Sequence, residues 1–199
     1  MIEFIEKIDI ELLFWLNGNH NELLDSIMWF ASEKYTWLPF YIILTFILIW
    51  KYKKDSILMI LLIGLLITMS DIIASGIFKP LFERLRPSHN PDLINKLHIV
   101  NNYKGGEFGF ISSHAANVFS LAFYISKLTY DKIKWLPFVL IPWAIFVSIS
   151  RVYLGVHYPT DILVPAILSI PIALIVARIY KLYNPILIKK ITKNVPTNN

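Results

Sequence analysis

The longest apolar run, residues 56–81, decides what kind of chain this is. Before Lys79 it carries one charged residue, Asp71, and it exceeds the roughly 20 apolar residues that match a bilayer's hydrocarbon core. Shorter runs of the same character cover 22–33, 37–51, 113–128, 135–150 and 160–182. The chain is 56% hydrophobic and 17% charged, and its mean hydropathy is +0.56. A water-soluble domain does not have this balance. The pattern predicts an all-α integral membrane protein, a bundle of six transmembrane helices formed by those runs. Residues 3–16 read as an additional amphipathic helix, with Phe4, Ile5, Ile8, Leu12 and Trp15 near one face, lying flat on the membrane surface.

Other classes fall away. There are no cysteines, so disulfides, thiolate catalysis and cysteine metal sites are excluded. The net charge of +5 does not point to nucleic acid, because the basic residues sit in short loops between apolar runs. Met1-Ile2-Glu3-Phe4-Ile5-Glu6 is acidic where a cleavable signal peptide would be basic. No repeat or domain boundary is visible, so residues 1–199 read as one membrane-embedded domain. The tail 184–199 is basic, then polar, and is expected to be disordered.

Basic residues also orient the bundle. Lys51, Lys53, Lys54, Lys127, Lys132, Lys134, Arg178, Lys181, Lys189, Lys190 and Lys193 all fall at ends that alternation puts on one side. The positive-inside rule makes that side cytoplasmic. The opposite side receives a long polar loop, 84–110, rich in Pro and Gly, and the stretch 151–159. Loops of that length in a compact chain are functional or mobile.

Three polar stretches converge on this outer face: Lys79 to Pro87, Phe110-Ile111-Ser112-Ser113-His114, and Ser150 to Asp161. Ionisable groups are expensive at a membrane helix end without a task. His157 and Asp161 are four apart, and if a helix starts near Pro159 the carboxylate can take the Nδ1 proton and leave Nε2 as a nucleophile. Lys79, Arg86 and Arg151 suit phosphate oxygens and the charge of a phosphoryl transition state. Ser112 and the helix start after it add a hydroxyl, N–H donors and the positive end of a dipole. His114 fits a general acid that protonates the leaving oxygen and then activates water. The cationic side chains supply the positive charge, so neither metal nor cofactor is called for. Asp71, Ser75 and Lys79 share one broad helix face, and Asp71 reads as a supporting carboxylate. Arg84 suits either a headgroup contact or simple exposure. His20, His89 and His98 read as surface residues, and Trp29, Trp37, Trp50, Trp135 and Trp143 as interfacial or lipid-facing bulk.

The series Lys79-x6-Arg86-Pro87, Ser112-Ser113-His114 and Ser150-Arg151-x5-His157-x3-Asp161 resembles the type 2 phosphatidic acid phosphatase superfamily across residues 55–180. The family's second motif is usually Pro-Ser-Gly-His; here Ile111 and Ser113 stand at the Pro and Gly positions. That bears on the turn's backbone, since Ser tolerates a positive φ less readily than Gly. The resemblance implies the six-span layout of small bacterial members and a metal-independent lipid phosphate phosphatase working through a phosphohistidine. Lys79, Arg86, Ser112, Ser113 and Arg151 would then bind phosphate. The implied substrates are undecaprenyl pyrophosphate, phosphatidylglycerol phosphate, phosphatidic acid or a lipid A phosphate. A lipid-to-lipid phosphotransferase and a transporter are the alternatives. Much Ile, Lys and Asn with little Gly suggests a bacterial source, and hence a cytoplasmic membrane with the site facing outward.

The topology is open to a direct test. A single cysteine at Asn102 should react with an impermeant thiol reagent in intact cells, and one at Lys53 only after permeabilisation. The reverse pattern would invert the bundle.

Overall fold

The computed structural model describes residues 2–193; Met1 and 194–199, the last part of the expected disordered tail, lie outside the described residues. Among the described residues the regular structure is helical, with one isolated bridge between Leu85 and Phe108. The helices are α1 (Ile2–Gly18), α2 (Glu22–Ser32), α3 (Leu38–Tyr52), α4 (Ser56–Asp71), α5 (Lys79–Phe82), α6 (Ser113–Thr129), α7 (Pro137–Tyr153) and α8 (Pro159–Lys193).

Local chemistry sets these boundaries. Asn21 caps α2 by accepting the Leu24 amide at 2.9 Å. Pro39 and Pro137 sit in the first turns of α3 and α7, where a missing N–H leaves no bond unmade. Lys53, at φ 53°, separates α3 from α4. Glu83, in the left-handed region at φ 44°, closes α5. Ile72–Phe78 is π-helical and carries α4 into α5. Wider turns of this kind recur where helices present side chains to a site.

Among the described residues, two helical stretches, Tyr35–Phe82 and Pro159–Ile191, are long and apolar enough to cross a membrane. α3 has 15 residues and α6 and α7 have 17 each, about 22–26 Å at 1.5 Å per residue. Large apolar side chains point outward along the bundle, among them Phe46, Leu61, Phe138 and Ile167. A surface this apolar needs a non-aqueous neighbour.

The core is built around α6, which packs on α8, α7 and α4. Ala115, Ala116, Ser120 and Ala122 are buried on it and let the neighbouring backbones approach closely. Polar bonds cross the same interfaces. Ser70 Oγ meets Ser120 Oγ at 2.6 Å, the Ser169 hydroxyl donates to the Ala116 carbonyl at 3.1 Å, and Tyr124 OH donates to the Met59 carbonyl at 3.1 Å.

Several expectations are corrected by this packing. The tail does not begin at Asn184: α8 continues to Lys193 through Pro185, and Asn184 Nδ2 donates to Asp55 Oδ1 at 2.7 Å. Trp37 and Trp143 are not lipid-facing bulk but pack together with Phe40 and Tyr41, and Trp143 is buried. α1 keeps its apolar stripe of Phe4, Ile5, Ile8, Leu12 and Trp15 exposed, while a second stripe, Asp9, Leu13 and Asn17, is buried against α7 and α8. The loop 84–110 is folded onto this assembly, with short 3₁₀ turns and buried Leu93 and Val100.

Asn17 ties three segments together. Its Nδ2 donates to the His98 and Tyr153 carbonyls, each at 2.8 Å, and its Oδ1 accepts the His98 amide at 2.8 Å. Asn17→Ala strands those groups and should destabilise the fold by about 1–3 kcal/mol per unsatisfied buried group. The check is the melting temperature of purified protein in detergent.

Candidate active site

The three polar stretches meet at one cavity of about 470 Å³ at the ends of α4–α5, α6 and α7. Lys79, Arg86, Ser113, His114, Arg151, His157 and Asp71 all line it. Ser112 and Asp161 stand behind the wall.

His157 lies in the short link between α7 and α8 and is 1% exposed. Its Nδ1 is 3.2 Å from Oδ2 of Asp161, in the first turn of α8, and the same oxygen accepts the Tyr158 amide at 3.0 Å. Asp161 is completely buried. Burial pushes the His157 imidazole well below its ordinary value, and the charges of Arg86, Arg151 and Lys79 push it further; the Gly109 backbone opposes them. The ring is therefore neutral at physiological pH, the form a nucleophile needs. The approach of the 84–110 loop depends on its glycines. A Cβ on Gly109 would lie 2.9 Å from Asp161 Oδ2, and one on Gly105, at φ 68°, 2.5 Å from Arg86 Nη1.

Each cation is held by neutral partners. Lys79 Nζ donates to Ser113 Oγ at 2.9 Å and Ser75 Oγ at 3.1 Å, and those hydroxyls share a bond at 2.7 Å. Arg86 Nε donates to the Phe108 carbonyl at 3.2 Å. Arg151 donates to Ser32 Oγ through Nη1 and to Tyr103 OH through Nη2, the latter at 3.1 Å. Arg86 Nη1 and Arg151 Nε are buried with no hydrogen-bond partner among the described residues. Buried guanidinium N–H groups of this kind suit an oxyanion.

Ser112 differs from its expected role. Its Oγ accepts the Ala115 amide at 3.4 Å as the cap of α6, and its own amide donates to the Asp161 carbonyl at 2.8 Å. The hydroxyl on the cavity belongs to Ser113, which opens α6 without a positive φ, so Ser in place of Gly does not strain the turn. Asp71 lines the cavity and is exposed.

Arg84 is not simply exposed but paired. Its Nη1 donates to Asp161 Oδ1 at 3.0 Å and Thr160 Oγ1 at 2.8 Å, and its Nη2 to Asp9 Oδ2 at 2.8 Å. The three histidines read as surface groups are also engaged. His98 Nε2 is 2.8 Å from Asp25 Oδ2, His20 stacks on His98 with centroids 3.7 Å apart, and His89 Nδ1 lies 3.4 Å from Ser88 Oγ. Ser32, Lys34, Tyr41 and Tyr103 belong to the site or its supports and were missed from sequence. They lie outside the three motifs, and no local spacing marks them. Beside this cavity lies an apolar one of about 330 Å³ between α3, α4 and α6; the two share Tyr41, Asn117 and Val118.

Known proteins match this chain. The family model for the PAP2 superfamily matches residues 57–185. A lipid A 4'-phosphatase of Bacteroides thetaiotaomicron is 39% identical, over 85% of this chain and 75% of its own. A lipid A 4'-phosphatase of Porphyromonas gingivalis is 36% identical, over 92% of this chain and 75% of its own. The fold is similar to the crystal structure of a transmembrane PAP2-type phosphatidylglycerolphosphate phosphatase from Bacillus subtilis. There the TM-score is 0.60 and the identity 21%, over 98% of this chain and 89% of that one.

The depressed imidazole has a spectroscopic consequence. His157 ring nitrogens should show no titration as pH falls from about 8 to below the ordinary histidine value near 6.5. Selective ¹⁵N-histidine NMR in detergent reads this directly, and a midpoint at or above that value would contradict the site as described.

Proposed function

The chain belongs to the PAP2 superfamily, and we propose that it is a lipid phosphate phosphatase in which His157 attacks phosphorus. The observation that carries this reading is the single cavity in which three cations surround a buried imidazole, with Arg86 Nη1 and Arg151 Nε lacking partners among the described residues. Both bacterial relatives are named lipid A 4'-phosphatases, and a lipid A phosphate is accordingly the substrate we propose.

In the first step His157 Nε2 forms a bond to phosphorus as the P–O bond to the lipid breaks. Lys79, Arg86 and Arg151 take the charge on the phosphoryl oxygens, with the Ser113 hydroxyl beside Lys79. Asp161 keeps the proton on Nδ1 and stabilises the cationic ring that forms. His114, on the first turn of α6, gives its proton to the departing lipid oxygen. It then takes a proton from water, which attacks the phosphohistidine, releases inorganic phosphate and restores His157. Asp71, on the lining of the same cavity, would offset part of the charge at Lys79.

The membrane arrangement follows the same reading. We propose five spans rather than the six expected from the apolar runs: α3, α4 continued through α5, α6, α7 and α8. α2, with 11 residues or about 16 Å, is too short for a further one and lies with α1 on the cavity side, where Asp25 accepts from Tyr153 OH and Ser32 accepts from Arg151. The ends holding 51–55, 127–134 and 178–193 face the cytoplasm of a bacterial inner membrane, and the cavity faces outward. α1 lies at the outer membrane surface on its exposed apolar stripe. The substrate's phosphate would enter the polar cavity, and an acyl chain would occupy the apolar one beside it.

The mechanism separates the two histidines. An alkyl phosphate leaves as a basic alkoxide and needs a proton, whereas nitrophenyl phosphate leaves as a weak base. His114→Ala should lose about 100-fold or more in phosphoenzyme formation on an alkyl phosphomonoester and far less on nitrophenyl phosphate. His157→Ala should lose both substrates alike. Burst kinetics with the two substrates gives the comparison; equal losses in His114→Ala would remove it as the leaving-group acid, and near-parent turnover by His157→Ala would end the reading.

A further inference from the structure

Asp9 lies far from every motif, outside the stretch 57–185 that matches the family model, and it is 1% exposed. A carboxylate is buried this deeply when something holds it there. Asp9 Oδ1 accepts the Thr160 amide at 2.8 Å, and Oδ2 accepts Arg84 Nη2 at 2.8 Å and the Thr160 hydroxyl. Arg84 in turn holds Asp161 Oδ1 and lies over the Tyr158 ring, 3.9 Å from its centroid. Asp161 Oδ2 is thereby left for His157 Nδ1 and the Tyr158 amide. Neither Asp9 nor Arg84 lines the cavity.

We propose that Asp9 and Arg84 are positioning residues for the His157–Asp161 pair, and that α1 is thereby part of the catalytic apparatus. A carboxylate bonded through one oxygen only can turn about its Cβ–Cγ axis and present either oxygen to the imidazole. Arg84 fixes the plane of Asp161 by taking the other oxygen. Arg84 is long and rotamer-rich, so its own place depends on Asp9 at the far end of the guanidinium and on Tyr158 beneath it. Asp9 also holds the first turn of α8, which carries Asp161, through the Thr160 amide. It is set in place by its own helix, where Leu13 and Asn17 are buried one and two turns further on. The orientation of the nucleophile is thus fixed by a chain of charged hydrogen bonds that begins in the N-terminal helix.

This role rests on the proposed use of His157 as nucleophile, and two kinds of measurement keep the two apart. In Asp9→Asn and Arg84→Gln, kcat on a lipid A phosphate in detergent micelles should fall about 100-fold, the loss expected when a reacting group is misplaced by an ångström or so. KM and competitive inhibition by inorganic phosphate should stay at parent values, because neither residue touches the cavity. The double variant should lose no more than the worse single variant, and millimolar guanidinium should restore part of the kcat of Arg84→Ala. Independently of activity, ¹⁵N NMR should show one ring tautomer of His157, protonated at Nδ1, in the parent and a mixture in the variants. Parent-like kcat and a single tautomer in the variants would overturn the proposal. So would a loss of kcat in which phosphate binding falls in step and guanidinium restores nothing. A parent that releases no phosphate would fail the phosphatase reading alone, since the tautomer populations still decide the positioning role.

Discussion

The structure depends on how one fully buried carboxylate is satisfied. Asp161 has His157 Nδ1, the Tyr158 amide and Arg84 Nη1 around its two oxygens. Removing one partner of such a buried charge typically costs about 3–5 kcal/mol, because the other is left uncompensated. The surrounding architecture follows from that requirement. α8 starts where Asp161 can reach back to the α7–α8 link, Gly109 has no side chain because Asp161 Oδ2 occupies the space, and α1 is drawn onto the bundle by the charge pair at Arg84.

The charges divide into two sets. Arg84 is matched by Asp9 and Asp161 at 2.8 and 3.0 Å. Lys79, Arg86 and Arg151 instead meet hydroxyls, a phenol and a carbonyl, none of which cancels their charge. With neutral hydrogen-bond partners on these three, the lining sets Lys34, Lys79, Arg86 and Arg151 against the carboxylates of Glu33 and Asp71 and retains its attraction for an anion. A carboxylate in place of Ser113 or Tyr103, in direct contact with a cation, would weaken it. This is a physical reason for hydroxyl-bearing residues at the positions nearest the cations.

The sequence carried the helix order and the cations and histidines now found on one cavity, for identifiable reasons. Apolar runs and the residues that interrupt them gave helix limits within a few residues of those observed for α2 to α7. The i, i+4 spacing of His157 and Asp161 needed only a helix start at Pro159 to become a hydrogen bond. What was illegible was non-local. Arg84 and Asp9 are 75 residues apart, and the carboxylate sits among Glu3, Glu6 and Glu11 on a helix whose apolar stripe faces the other way. Ser112 and Ser113 could not be told apart by type, because only the backbone decides which hydroxyl caps the helix and which faces the cavity. The length of α8 was underestimated because its last turns look polar, yet Asp55 holds Asn184 from the loop between α3 and α4.

The shared walls of the polar and apolar cavities, at Tyr41, Asn117 and Val118, have a kinetic meaning on the proposed reading. A substrate whose chain stays among the helices while its phosphate reacts never leaves the bilayer as a whole molecule. Saturation then follows the mole fraction of the lipid in the membrane plane rather than its amount per volume of suspension, and dilution by inert lipid acts as a competitive brake. The two products also part into different phases, phosphate to water and the dephosphorylated lipid to the bilayer, so each accumulates and inhibits on its own scale.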